Sequence, residues 1–291
     1  MTRIIHSLAE ISDRYDALLV DLWGCVHNGV TAYPEAVAAL QAFRAGGGTV
    51  VLLTNSPKPR AGVAEQIAEF GVPEDAYDTI ATSGDSARSA MFQGAVGNKV
   101  LFMGEWGRDE GFFEPLKMLD APADIQIVPL EQAEGIVCCG PDDPQADPDT
   151  NRPAFLYAKQ KGMKLLCANP DIVVDRGEVR EWCAGALARL YTEMGGESLY
   201  FGKPHPPIYD LARRRLLELG KDPAQMSILA IGDGVHTDIS GAMGEDYDSL
   251  FISGGLAATE TKTNQHPDPT ALNTYLSEEK SYPSFTIGQL R

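Results

Sequence analysis

The sequence predicts an α/β protein: a doubly wound parallel sheet into which a second α/β unit is inserted. Three observations carry this. Short apolar runs at 17–22, 49–53 and 227–231 lack the in–out alternation of a half-exposed strand, as strands covered on both faces do. Helical segments opened by proline or closed by glycine stand between the strands. The same alternation of strand and helix then starts afresh after about residue 87.

In chain order, Ala17–Leu22 is the first strand and ends on the carboxylate of Asp21, followed by a turn at Gly24. Pro34 opens a helix with Val37, Leu40 and Phe43 on one face, and Gly46–Gly48 closes it. Thr49–Leu53 is the next strand and runs into Thr54-Asn55-Ser56-Pro57. A helix over 60–70, a strand over 78–82 and a helix from Ser83 complete a βαβαβ pattern. In the inserted unit, strands are expected at 99–103, 135–139 and 164–168, with helices near 112–119 and 153–161. The acidic loop Pro141–Asp149 lacks the glycine and closing glutamate of an EF-hand, and reads as a solvated loop. The first unit is expected to resume near Ala184 with a helix to about Met194, a strand at 198–201 and a helix at 207–219. A strand at 227–231, another at 249–252 and a less regular tail follow.

The formal charge of −17 disfavours nucleic acids and anionic membranes as partners, and no run is long enough to span a bilayer. Met1–Glu10 lack the basic start and apolar core of a signal peptide. Five cysteines, an odd number with no C-x-x-C pair, read as reduced thiols of a cytoplasmic protein. Adjacent Cys138 and Cys139 are expected on opposite faces of a strand as small buried side chains.

The strand ends carry the chemistry. Ligands of open α/β sheets sit at the carboxyl ends of the strands, and four such ends here bear polar groups. Asp21 is a candidate nucleophile. Thr54 and Asn55 offer a hydroxyl and an amide to phosphoryl oxygens, and Lys203 supplies positive charge. Asp233 and Asp238 are hard oxygen donors of the kind magnesium prefers. A phosphate dianion about 4 Å from one carboxylate is repelled by several kcal/mol at an effective dielectric of about 20. Attack by a carboxylate therefore needs the cation and the lysine.

Asp21…Gly24, Thr54-Asn55, Gly202-Lys203-Pro204 and Gly232-Asp233…Thr237-Asp238 stand in the order of the haloacid dehalogenase (HAD) superfamily, which the chain resembles over nearly its whole length. Ala168-Asn169-Pro170-Asp171, and Pro-Ile-Tyr after the Gly-Lys-Pro, look like the NagD-like class IIA branch. The resemblance implies a Rossmann-like hydrolase core over 1–86 and 185–291, and an α/β cap over 87–184 that selects the substrate. It implies Asp21 as nucleophile and Mg²⁺ ligand, Thr54 with Asn55 as phosphate binders, and Lys203 as the catalytic cation. It further implies Asp233 and Asp238 in the metal site, the backbone carbonyl of Trp23 as a further ligand, and Asn169 and Asp171 on the cap face toward substrate.

One position departs from the pattern. Phosphatases of this superfamily carry an acid–base aspartate two residues after the nucleophile, and here that residue is Trp23. Indole offers an N–H and no exchangeable acid near neutral pH. What is lost is general acid–base help, typically worth about 10²–10⁴-fold. His27, His205 and His236 lie near the motifs, and His27, on the loop of Asp21, is the candidate substitute acid.

The function expected is a Mg²⁺-dependent hydrolase of a small phosphorylated metabolite, a sugar phosphate or nucleotide. It would work through an aspartyl-phosphate with an impaired or substituted acid. The alternatives are a HAD hydrolase of a C–P or C–halogen bond, or a weakly catalytic binder of a phosphorylated ligand. Branch members often pair through their caps, so a homodimer is among the assemblies the resemblance allows.

Overall fold

The computed structural model describes residues 2–114, 122–176 and 179–291, and the chain forms two units, each built on its own parallel sheet. The first unit comprises Met1–Thr54, Ala64–Ala81 and Tyr209–Arg291. The second comprises Asn55–Val63 and Thr82–Ile208.

The first unit holds a seven-stranded sheet. Its order is Arg3–Ile4, Phe285–Ile287, Asp248–Ile252, Ile228–Gly232, Ala17–Val20, Thr49–Thr54 and Thr79–Thr82. Ala17–Val20 is central and wholly buried, which is why its sequence is apolar without alternation. It pairs in parallel with Thr49–Thr54 on one side and Ile228–Gly232 on the other, Val20 standing opposite both Leu52 and Ile231. That register brings Asp21 level with the end of the neighbouring strand, and its N–H donates to the Ile231 carbonyl at 2.8 Å. The helix Pro34–Ala45 starts and stops where proline and glycine direct, burying Ala36, Leu40 and Phe43, while Val37 is half-buried.

The tail is more regular than the sequence suggests. Asp268 caps a helix over Pro269–Glu278 by accepting the Ala271 N–H at 2.8 Å. Phe285–Ile287 then pairs with both Asp248–Ile252 and the amino-terminal Arg3–Ile4.

The second unit holds a five-stranded sheet ordered Glu197–Tyr200, Lys164–Cys167, Gly135–Cys138, Lys99–Met103 and Gln126–Ile127, with every pair parallel. An antiparallel pair, Val173–Arg176 with Val179–Trp182, accompanies it. Each face has its own core. Ile136, Cys138, Leu165 and Cys167 pack with Phe155, Leu187 and Tyr191. Val137, Cys139 and Leu166 pack with Ala87, Met91 and Phe112 on the other face. Cys138 and Cys139 thus divide between the faces as strand alternation requires.

The sequence pattern returns the chain to the first unit at residue 185. In the structure Ala184–Glu193 packs on the second sheet and Glu197–Tyr200 pairs with Lys164–Cys167, so the second unit continues to Ile208. It also begins earlier than residue 87, taking in Thr82 onward and Asn55–Val63. Apolar patterning identifies a strand but not the sheet it joins. Of the helix expected over 112–119, Glu110–Phe113 is a 3₁₀ turn and residues 115–121 lie outside those described. In the acidic loop, Asp143 and Asp147 accept backbone N–H groups of Gln145 and Asp149, as turn residues do. Among the described residues no helix is long and apolar enough to cross a membrane.

Candidate active site

Asp21 follows the central strand and Asp233 follows its neighbour, so parallel pairing in register delivers both carboxylates to one edge of the first sheet. Both are more than nine-tenths buried. Ligand atoms of Asp21, Asp233 and Cys25 lie within 4.8 Å of one another, the only such group of three among the described residues. Two carboxylates at that separation repel by about 3–4 kcal/mol at an effective dielectric of about 20. A divalent cation between them would reverse the sign of the interaction.

Glycines make the convergence possible. Gly24 has φ of +76°, and a side chain there would run into the Asp233 carboxylate; one at Gly255 would do the same. Asp233 also accepts the Leu256 N–H at 3.0 Å. The loop after Asp21 folds back on one acceptor, the Leu22 carbonyl, which takes the N–H groups of Val26 at 2.8 Å and His27 at 3.1 Å. Asp238 lies against Gly232 and accepts from the Gly234 N–H at 3.1 Å and the Thr237 hydroxyl at 3.3 Å. It therefore fastens the turn that carries Asp233 and stands outside the close group of three donors. Thr54 ends the strand on the other side of Ala17–Val20 and is buried.

Trp23 is half-buried, with its indole against Gly29, where any side chain would collide with the ring. His27 meets Trp23 edge-on at 5.4 Å and Phe70 at 5.0 Å, and its Nδ1 accepts the Gly29 N–H at 3.0 Å. Burial pushes its pKa down to about 4. A ring neutral at pH 7, with one nitrogen already accepting a bond, is a poor imidazolium acid. His27, the substitute acid expected from the sequence, is thus buried against Trp23 and Phe70 and bonded to its own loop through the Gly29 N–H. His236 is exposed and contacts Glu279 at 2.8 Å, while His205 stacks on Tyr200 at 4.8 Å.

Asn55, Asn169, Asp171 and Lys203 belong to the second unit and form a second group there. The Asn55 side chain accepts the Lys203 N–H at 2.7 Å and donates to the Lys203 carbonyl at 3.3 Å and to Asp171 Oδ1 at 2.8 Å. Asn169 Oδ1 accepts the Asp171 N–H at 3.0 Å, the Asx turn expected of Asn-Pro-Asp. Gly202 lacks a side chain because Asn55, Pro170 and Ser83 occupy that space. Lys203 is buried, and its bond to Pro204 is cis.

Sequence reasoning missed Cys25 and Tyr33. Burial first, then the charges of Cys25 and Asp233, push the Tyr33 hydroxyl above its usual range. The signal for Cys25 was its position four residues after Asp21 in a loop turned by glycine. Nothing in the sequence marks Tyr33.

The donor set fits a hard divalent cation, since two buried carboxylates converge and the intervening glycines leave room.

Comparison with known proteins agrees with this architecture. The family described as haloacid dehalogenase-like hydrolase matches residues 18–117, and a HAD-hydrolase-like family matches residues 200–278. A haloacid dehalogenase-like hydrolase from Brucella suis 1330 has a crystal structure that superposes with a TM-score of 0.84. It is 38% identical, and the match covers 99% of this chain and 100% of that one. Human glycerol-3-phosphate phosphatase is 28% identical over 94% of this chain and 88% of its own length. The 5'-nucleotidase YutF of Bacillus subtilis is 24% identical over 88% and 94% respectively. With paired carboxylates at the sheet edge and a relative of this identity matched end to end, the chain belongs to the haloacid dehalogenase-like hydrolases.

Proposed function

We infer that this hydrolase is a Mg²⁺-dependent phosphatase of the NagD-like class IIA branch, acting on a small phosphorylated metabolite. The observation that carries the reading is the buried Asp21–Asp233 pair at the ends of adjacent parallel strands. The phosphatase names of the human and Bacillus relatives support it. Buried thiols are in keeping with a reducing compartment.

Asp21 and Asp233 would hold the cation, with the Trp23 carbonyl as a further ligand and Asp238 behind them. When bound, the cation offsets the repulsion between the Asp21 carboxylate and a phosphate dianion. An Asp21 oxygen attacks phosphorus and the bond to the leaving oxygen breaks, giving an aspartyl-phosphate. Water then attacks that phosphorus, releases phosphate and regenerates the Asp21 carboxylate. Lys203 is the cation assigned to the transferring group, Thr54 and Asn55 are its hydrogen-bond partners, and the second unit, with Asn169 and Asp171, selects the substrate. Trp23 and neutral His27 leave the first step without a carboxylic acid, so the leaving oxygen takes its proton from water or departs as an anion.

Phosphate release from a panel of metabolites, with Mg²⁺ and with chelator, tests the reading. Metal-dependent release is expected; release of halide or aldehyde, or tight binding without turnover, would sink it. Trp23→Asp is expected to raise turnover of alkyl phosphates by about 10²–10⁴-fold, the usual worth of a general acid. The gain should be much smaller for aryl phosphates, whose leaving groups need no proton.

A further inference from the structure

We propose that Arg108 reads the hydroxyl groups at the non-phosphate end of the substrate, in a crevice of the second sheet that favours a sugar or polyol phosphate over a phosphorylated carboxylic acid. This rests on the reading of the protein as a phosphatase whose second unit selects the substrate, and it names what that unit selects.

The crevice follows from topology. In an open α/β sheet, ligands gather outside the carboxyl ends of two adjacent strands whose connections leave to opposite sides. In the first sheet these strands are Ala17–Val20, which leads on to Thr49–Thr54, and Ile228–Gly232, which leads on to Asp248–Ile252; Asp21 and Asp233 follow them directly. The second sheet reverses in the same way. Lys99–Met103 leads on to Gln126–Ile127 on one side, and Gly135–Cys138 leads on to Lys164–Cys167 on the other. The loops that leave this point meet each other. The Gly104 N–H of one donates to Asp142 of the other at 3.2 Å. Arg108 Nη2 lies 3.2 Å from where a side chain at Gly140 would begin, so glycine leaves the guanidinium room.

Arg108 is held from one side. Its Nε and Nη2 donate to the two carboxylate oxygens of Asp109 at 3.2 and 3.3 Å. The Asp109 side chain is 1% exposed and that of Arg108 is 27% exposed. Asp109 is thus a positioning residue that fixes one edge of a guanidinium whose other edge faces outward. Nη1 makes no hydrogen bond among the described residues, and the exposed Glu105 carboxylate stands 3.8 Å from it. A planar fork anchored in this way is pre-organised to donate to further oxygens.

Charge decides which oxygens. Asp109 already neutralises Arg108, and the charges of Glu105 and Glu181 act on the same guanidinium. A ligand carboxylate would meet like charge here. A pair of neighbouring hydroxyls would not: one accepts from Nη1 while the other donates to Glu105.

The test is phosphate release by the full chain with Mg²⁺ from ribose 5-phosphate, 2-phosphoglycolate and 4-nitrophenyl phosphate. The wild type is expected to prefer ribose 5-phosphate over 2-phosphoglycolate by about tenfold or more in kcat/KM. Arg108→Ala and Arg108→Lys should lower kcat/KM for ribose 5-phosphate by about 10–100-fold, mainly through KM, as loss of hydrogen bonds to a charged group does. The loss on 4-nitrophenyl phosphate, which has no hydroxyls to read, should be much smaller. Glu105→Gln should narrow the preference over 2-phosphoglycolate, an effect that a merely structural role for Arg108 would not produce. Thermal melts check folding, and Arg108→Lys keeps a cation beside buried Asp109 should the alanine variant melt early. Equal losses on all three substrates in folded Arg108→Lys, or a wild type that prefers 2-phosphoglycolate, would overturn this inference and leave the phosphatase reading standing. Should none of the three be hydrolysed, the phosphatase reading falls and binding decides the inference. Ribose 5-phosphate is then expected to shift the Arg108 Nε–H resonance, and a resonance that stays in place overturns it.

Discussion

The two groups of polar residues differ in how their buried polarity is satisfied. In the first unit Asp21, Cys25 and Asp233 bring ligand atoms within 4.8 Å of one another, an arrangement that the proposed function assigns to a cation. In the second unit Asn55 bonds to both backbone groups of Lys203 and to the Asp171 carboxylate, so that cluster is bound together by the chain itself. On the proposed function the first group is built around a bound cation, whereas the second is built around hydrogen bonds to its own backbone. Stability should therefore respond differently: variants of the first group act on turnover and cation binding at little cost in folding, whereas variants that break the hydrogen bonds of the second cost folding stability besides any effect on turnover.

The sharpest way to break this contrast is Asp21→Asn. It removes the nucleophile, and phosphate release is expected to fall on the order of 10⁴–10⁶-fold, as losses of an attacking group do, while the variant still folds. Next is thermal melting with and without cation. Saturation at about 100 times Kd should stabilise the wild type by about 2.7 kcal/mol, and Asp233→Asn should lose most of that increment.

Asn55→Ala should behave in the opposite way. Unpairing buried groups costs about 1–3 kcal/mol, so chemical denaturation should show that loss equally with cation present and absent. A loss seen only with cation would mean the two groups are not separable. The smallest effect is in pH. His27 titrates near its ordinary 6.5 when unfolded and near 4 when folded. Its contribution is complete above pH 6.5 and is lost as pH falls toward 4, with a slope of at most about 1.4 kcal/mol per pH unit. In His27→Asn, stability measured between pH 6.5 and 4 should fall less steeply.

Much of the fold was legible because parallel strands buried on both faces leave uninterrupted apolar runs. Ala17–Val20, Thr49–Thr54 and Ile228–Gly232 were readable for that reason. Of the candidate site, Asp21 and Asp233 were visible as carboxylates at strand ends, and Asn55 and Lys203 as members of short motifs. The pairings that long-range contacts create were not visible. Arg3–Ile4 is too short to leave a pattern, and its partner Phe285–Ile287 lies at the far end of the chain. Glu197–Tyr200 was recognised as a strand and assigned to the wrong sheet, because its local residue pattern is the same whichever neighbour it has. The type and loop position of His27 suggest an acid, while its burial against Trp23 and Phe70, which lowers its pKa, depends on packing that no local pattern shows.

Local chemistry written in the chain thus determined which segments are strands and helices, and which strand ends carry carboxylates. Packing alone decided that Cys25 joins Asp21 and Asp233, that Asn55 clasps Lys203, and where the second unit ends. Residue type and spacing act over a few positions, whereas sheet order and side-chain convergence depend on which distant segments exclude water together.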